Sequence, residues 1–204
     1  MLQHPVAVRD AFAEAAATFL ATTTAVEEHQ WDLPGALGEW TARQLTAHTL
    51  RAFTTVETYL MAEPTVDRVM ADATEYYRAA LSDPTVHASV AQRGREAARQ
   101  LDDPVGESEA TAARVLALVA STLDDEPVNT FAGQIVFSEY LATRAVELGI
   151  HTLDLQHATG QAVGLHPATS SVLLSVLTGL ADPTPVLLAL TGRRQLPASF
   201  NVLG

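Results

Sequence analysis

Residues 144–155 read RAVELGIHTLDL, and two residues in this stretch indicate both a helix and a site on it. Glu147 and His151 interrupt a segment that is otherwise mostly apolar, and they stand four positions apart. Positions i and i+4 lie one turn apart on one face of an α-helix, so the carboxylate and the imidazole can point at one metal ion. We predict a helix over about 139–159, capped by Ser138 and ended by Gly160.

A third candidate ligand, His48, lies about a hundred residues earlier in TARQLTAHTLRAF, residues 41–53. Together with Glu147 and His151 it would make three protein ligands with one open position, the pattern of a catalytic zinc site. Glu and His at this spacing also occur on solvated helix surfaces, and a lone His is more often a hydrogen-bonded, partly buried residue. The setting favours the metal, because all three interrupt apolar stripes, where an ionisable group is costly unless paired or metal-bound.

The neighbours of this pair on the helix suggest supporting roles. Asp154 extends the stripe to i+7, either as a fourth ligand or, as we favour, as a partner that orients a ligand histidine. Arg144 is either an ion-pair partner of Glu147 or one half of a solvated pair. No acid or base beyond the metal site is identified: Asp154, Arg144 and the tyrosines at positions 59, 76, 77 and 140 are candidates only by proximity in the sequence. The histidines at 4, 29, 87, 157 and 166 are interpreted as surface or loop residues.

Composition indicates one globular domain over residues 1–204. The chain has 48% hydrophobic and 18% charged residues, which is typical of a folded chain rather than a disordered one. Twelve basic residues against twenty-four acidic ones give a net charge of −12. A nucleic-acid backbone would be repelled by that charge, so nucleic acid is not an expected partner.

Cysteine is absent from the sequence. Disulfides, thiolate metal sites and cysteine nucleophiles are therefore excluded, and any thiol chemistry would need a thiol supplied by a small molecule. The N-terminus lacks the basic and apolar regions of a signal peptide, and Asp182, Pro183 and Pro185 interrupt the most apolar segment. We therefore expect a cytoplasmic protein that does not enter the membrane.

Apolar periodicity predicts helices along almost the whole chain. Thr41 and Gln44 fit a capping box at the start of the second helix. WDLPGALGEW (31–40) is interpreted as a loop, and 129–138 as an extended or short β segment. The other predicted helices cover about 5–29, 41–62, 67–81, 84–101, 105–124, 167–181 and 184–192.

Four segments together resemble the DinB-like metal-binding superfamily, and most of all the family of the mycothiol-dependent maleylpyruvate isomerase N-terminal domain. The segments are WDLP (31–34), GEWTARQLTAH (38–48), RAVELGIHTLDL (144–155) and LLALTGRRQLP (187–197). The resemblance implies an all-α fold, an up-down-down-up four-helix bundle with extra short helices and a short extended segment near 129–137. It also implies a divalent metal, usually zinc, held by His48, Glu147 and His151.

Enzymes of the resembled family use the metal to bind a low-molecular-weight thiol, mycothiol, and then isomerise an electrophilic substrate or transfer the thiol to it. The absence of cysteine agrees with a nucleophile that arrives with the cofactor. The isomerase itself carries a separate C-terminal domain that contributes an arginine, and we do not expect that domain within these 204 residues. The resemblance therefore does not carry over the substrate.

Three functions remain open at this point. The first is a metal-dependent thiol S-transferase or isomerase, whose partners are a small-molecule thiol and an electrophilic substrate. The second is a non-catalytic module that binds a small ligand or metal, and the third is a structural helical dimer with a vestigial site. We also expect a homodimer, because an Ala- and Leu-rich chain has apolar surface to spare.

Overall fold

The fold is mostly helical, with two small antiparallel hairpins. The computed structural model describes residues 4–82 and 96–203. Its helices are α1 (Pro5–Thr24), α2 (Ala42–Thr49), α3 (Arg51–Leu60), α4 (Ala73–Leu81), α5 (Pro104–Ser121), α6 (Phe137–Ala158), α7 (Pro167–Leu180) and α8 (Pro183–Leu190). Its strands are β1 (Pro34–Leu37), β2 (Trp40–Thr41), β3 (Pro127–Thr130) and β4 (Gly133–Val136).

Helix α6 is the centre of the molecule. It packs against α1, α2, α3, α4 and α7, and most of its side chains are buried. Helix α1 also packs on α5 and α7, and α3 packs on α5. The core is therefore built from α1, the α2–α3 pair, α5 and α6, and the predicted all-α bundle is confirmed. The segment RAVELGIHTLDL reads as nearly continuous apolar sequence because α6 has neighbours on almost every side.

Aromatic side chains fill the core between α1 and α3. Phe12 and Phe19 point inward from α1 and are fully buried. Phe53 of α3 meets Phe12 edge-on, with ring centroids 5.7 Å apart, and lies 6.1 Å from Phe19. Aromatic pairs at these separations add to the stabilisation from buried area, so Phe53 joins α3 to two turns of α1.

The second predicted helix is present as two helices that meet at Leu50. The predicted capping box is confirmed, because the Thr41 hydroxyl accepts from the Gln44 N–H and the Gln44 side chain accepts from the Thr41 N–H. Near the break, the Thr49 hydroxyl donates to the Leu45 carbonyl at 2.8 Å, a bond that tends to bend a helix. The Phe53 N–H then bonds the Leu50 carbonyl in a tighter turn.

The segment interpreted as a loop over 31–40 contains the β1–β2 hairpin, so that interpretation is corrected. Gly35 and Gly38 adopt positive φ and allow the chain to reverse within a few residues. The β segment expected at 129–138 is confirmed as the β3–β4 hairpin. Next to it, the Gln134 N–H donates to the Arg68 carbonyl at 2.7 Å, and the Met70 N–H donates to the Gln134 carbonyl at 2.8 Å.

Several helix boundaries differ from the prediction. The helix expected over 67–81 begins at Ala73, because Asp72 caps it by accepting from the Glu75 N–H and the residues before it run along β4. Ser138 is not a cap, since α6 already begins at Phe137 with Val136 at the N-cap. The helix expected over 5–29 ends at Thr24, and most of the helix expected over 84–101 lies outside the described residues.

The described helices are too short or too polar to span a membrane. Within residues 4–82 and 96–203, none combines the length and the apolar character needed to cross a bilayer.

Candidate metal centre

His48, Glu147 and His151 converge on one point in the bundle. Each offers a ligand atom, and these atoms all lie within 4.8 Å of one another. Nε2 of His151 and Oε2 of Glu147 are 3.6 Å apart. Two ligands of one tetrahedral zinc stand roughly 3.3 Å apart, given bond lengths of about 2.0–2.1 Å. This pair is therefore close to the spacing that one ion requires, and the nitrogen of His48 lies within 4.8 Å of both atoms.

Glu147 is held on one side by a hydroxyl and on the other by an imidazole. Oε1 accepts a hydrogen bond from Tyr77 of α4 at 2.8 Å, while Oε2 faces His151. Burial opposes its ionisation, but the hydrogen bond with His151, the nearby positive charge of Arg144 and the bond from Tyr77 outweigh burial. They lower the pKa of Glu147 to about 2, so the carboxylate is charged at neutral pH.

His151 lies between two carboxylates. Its Nδ1 is 3.2 Å from Oδ2 of Asp154, one turn further along α6. Burial lowers the pKa of His151, but the hydrogen bonds with Asp154 and Glu147 exceed that effect and raise it to about 9. With Nδ1–H donated to Asp154, Nε2 is directed at Glu147. At neutral pH Nε2 also carries a proton, which a metal bound there would displace. This geometry agrees with our interpretation that Asp154 orients a ligand histidine.

His48 contributes the third donor from α2. Its ring meets that of His151 edge-on, with centroids 4.9 Å apart, and the ring of Trp40 packs on it at 5.1 Å. Burial, followed by the charge of His151, lowers the pKa of His48 to about 4. The ring is therefore neutral at pH 7, the form in which an imidazole binds a metal.

Arg144 is buried in the core close to the site and does not lie on the surface. Its side chain is buried, with the guanidinium 4.9 Å from the ring centre of Tyr140 and 5.7 Å from that of Tyr76. Its Nε donates to the Thr143 hydroxyl at 3.0 Å. Neither predicted role is correct: Arg144 is not solvated, and it makes no direct ion pair with Glu147. Its charge instead acts on the carboxylate from a greater distance.

The donor set fits a divalent metal such as zinc. Two imidazole nitrogens and one carboxylate oxygen are ligands that zinc binds in catalytic sites, where three protein ligands leave a position open. Nδ1 of His48 supports this fit independently, because it is buried and has no hydrogen-bond partner among the described residues. Such an atom is costly unless a further group satisfies the ring.

The other predicted site residues fall into two groups. The histidines at positions 4, 29, 157 and 166 are exposed, as expected for surface residues, whereas position 87 lies outside the described residues. Of the four candidate tyrosines, Tyr77 alone has a hydroxyl hydrogen-bonded to one of the three candidate ligands. No periodicity in the sequence around Tyr77 indicates this contact, because its partner Glu147 is seventy positions away on another helix.

Comparison with known families gives a match that covers most of the chain. Residues 12–156 match the family described as mycothiol maleylpyruvate isomerase N-terminal domain, which lies within the DinB-like superfamily. The matched range includes all three converging residues and most of the helical core. Comparisons with curated proteins and with solved structures give no match.

Proposed function

Because the chain belongs to the mycothiol maleylpyruvate isomerase N-terminal domain family, we propose that it binds a divalent metal, zinc, at this site and acts on a low-molecular-weight thiol, mycothiol. His48, Glu147 and His151 would hold the ion. The observation that supports the proposal most strongly is their convergence within 4.8 Å. When bound, zinc would act as a Lewis acid and lower the pKa of a thiol in the open position.

The residues around the ligands prepare them for this role. His151, Arg144 and Tyr77 together keep Glu147 ionised against the effect of burial, and Asp154 fixes the ring of His151 with Nε2 turned towards Glu147. Trp40 packs against His48 from the side of the β1–β2 hairpin. The ligand side chains therefore need little rearrangement to bind an ion, which favours affinity by reducing the ordering cost.

The proposed reaction is thiol S-transfer or isomerisation of an electrophilic substrate. The protein has no cysteine of its own, so the nucleophilic sulfur would enter with the small molecule. A non-catalytic module that binds metal or a small ligand is the alternative function. A single-domain chain, a homodimer and a cytoplasmic location stay predictions.

The proposal is tested by two successive calorimetric titrations. Tag-free protein is first titrated with zinc, and the zinc form is then titrated with mycothiol while proton release is followed. We expect one zinc per chain, followed by thiol binding with release of a proton, since the thiolate is the form that zinc stabilises. Failure of zinc to bind would refute the metal site. Zinc binding without thiol binding would refute the thiol function and leave the metal-binding module.

Asp154 is expected to strengthen metal binding, because its carboxylate orients the ring of His151. Replacing Asp154 by Ala removes the acceptor 3.2 Å from Nδ1, so the imidazole loses its preferred tautomer and orientation. We expect zinc affinity to fall about 10–100-fold, the usual effect of losing such a partner. Competition with a chromophoric chelator measures the change. Asp182→Ala, at the exposed N-cap of α8, is a control that should leave zinc affinity unchanged, and equal affinities for the two variants would contradict the role of Asp154.

A further inference from the structure

Tyr77 reaches the candidate metal centre from a helix that contributes no ligand. It lies on α4, is 4% exposed, and places its hydroxyl 2.8 Å from Oε1 of Glu147. The carbonyl of Thr143 is a second acceptor at 3.1 Å. A hydroxyl has a single proton, and the carboxylate is both closer and charged, so the proton is donated to Glu147.

The direction of this hydrogen bond follows from the ordinary chemistry of the two groups and from their distance of 2.8 Å. A phenol ordinarily holds its proton at neutral pH, whereas a carboxyl group is ordinarily ionised there, so the phenol is the donor. A charge-assisted O–H···O⁻ bond of this kind is about twice as strong as a neutral one, so Oε1 is firmly occupied.

The position of Tyr77 is fixed by how α4 is docked. The carboxylate of Glu139, a buried residue in the first turn of α6, accepts a hydrogen bond from the Ala73 N–H at 3.0 Å. Just before α4, the Met70 N–H bonds the Gln134 carbonyl of β4. The start of α4 is therefore attached to α6 and to the β3–β4 hairpin. These attachments fix the position of Tyr77 relative to Glu147.

We propose that Tyr77 is a positioning residue that makes Glu147 a monodentate ligand through Oε2. This inference rests on the metal site of the proposed function. Oε1 is engaged by the phenol, and Oε2 is the oxygen that faces His151. A carboxylate that gives only one oxygen leaves zinc with three protein donors. The fourth position then stays open for an exogenous donor, such as a thiol or water.

The test replaces Tyr77 by Phe in the full-length protein and loads it with Co²⁺ as a spectroscopic probe for zinc. We expect wild-type protein to give the intense visible bands of four-coordinate cobalt. In Tyr77→Phe, Oε1 is free to bind as well, so the bands should weaken as the coordination number rises. Zinc affinity should also fall, with Kd rising about 10-fold or more, because the carboxylate of Glu147 loses the hydrogen bond that orients it. Tyr59→Phe is the control, because Tyr59 packs on Tyr140 rather than on the site.

Infrared spectra of the wild-type protein with and without zinc give a second measurement that requires no variant. A wide separation between the asymmetric and symmetric carboxylate bands indicates monodentate binding, and a narrow one indicates bidentate binding. A narrow separation, or cobalt spectra and zinc affinity in Tyr77→Phe equal to wild type, would overturn the role of Tyr77 while leaving the metal site intact. Failure of the wild-type protein to bind either metal would overturn both the proposed function and this inference.

Discussion

Replacing His151 by Ala is expected to weaken zinc binding by more than about 100-fold, because it removes a ligand, whereas loss of an outer partner alone costs about 10–100-fold. The imidazole is also the group that faces Oε2 of Glu147 and contacts the ring of His48. With two of three protein ligands left, the thiol titration should give no heat. Chelator competition and calorimetry measure both effects.

The fold of His151→Ala should persist, because the bundle buries its core without any contribution from this imidazole. Circular dichroism checks that the helices are retained. His157→Ala is the matched control, since His157 lies on the same helix, is exposed, and is not one of the converging residues. Unchanged zinc affinity in His151→Ala, or an equal loss in His157→Ala, would show that the metal does not bind at this site.

Replacing Phe53 by Ala is expected to lower the free energy of unfolding by about 3–5 kcal/mol. The ring is fully buried and lies within 5.7–6.1 Å of the rings of Phe12 and Phe19. Its removal leaves a cavity between α1 and α3 that the surrounding helices fill only in part. Since 1 kcal/mol shifts Tm by roughly 2–4 °C in a domain of this size, we expect Tm to fall by about 10 °C.

The control for this prediction is Leu174→Ala on α7. Leu174 is 62% exposed, so its truncation should change the free energy of unfolding by no more than about 0.5 kcal/mol. Urea unfolding of both variants gives the comparison. Similar small losses for the two would mean that Phe53 does not support the contact between α1 and α3.

Much of the candidate centre was predictable from local sequence. Glu147 and His151 share a helix face because four residues span one helical turn, and the apolar residues around them indicated a buried helix. Asp154 follows at the next position on that stripe, and its contact with Nδ1 of His151 is set by the same helical geometry. Thr41 and Gln44 likewise marked a helix start through contacts that span only three residues.

Other features depended on contacts between distant segments. Arg144 is one turn from Glu147, a spacing that on an exposed helix would suggest a salt bridge, but its helix is surrounded, so the guanidinium packs on Tyr140 and Tyr76. The start of α4 was predicted too early because the residues before Asp72 pair with β4, a partner more than sixty positions away. Periodicity within one segment carries no information about the tyrosines that pack on Arg144 or about the strand that pairs with the residues before α4.

The sequence by itself determined the helical class and two of the candidate ligands on one face, because helix periodicity and capping act within a few residues. Only the tertiary structure decided that His48 meets this pair, that Tyr77 holds Oε1 of Glu147, and that Trp40 packs on His48. These contacts join α2, α4 and the β1–β2 hairpin to α6. They depend on how helices pack, which is governed by the burial of whole apolar faces rather than by the spacing of any one motif.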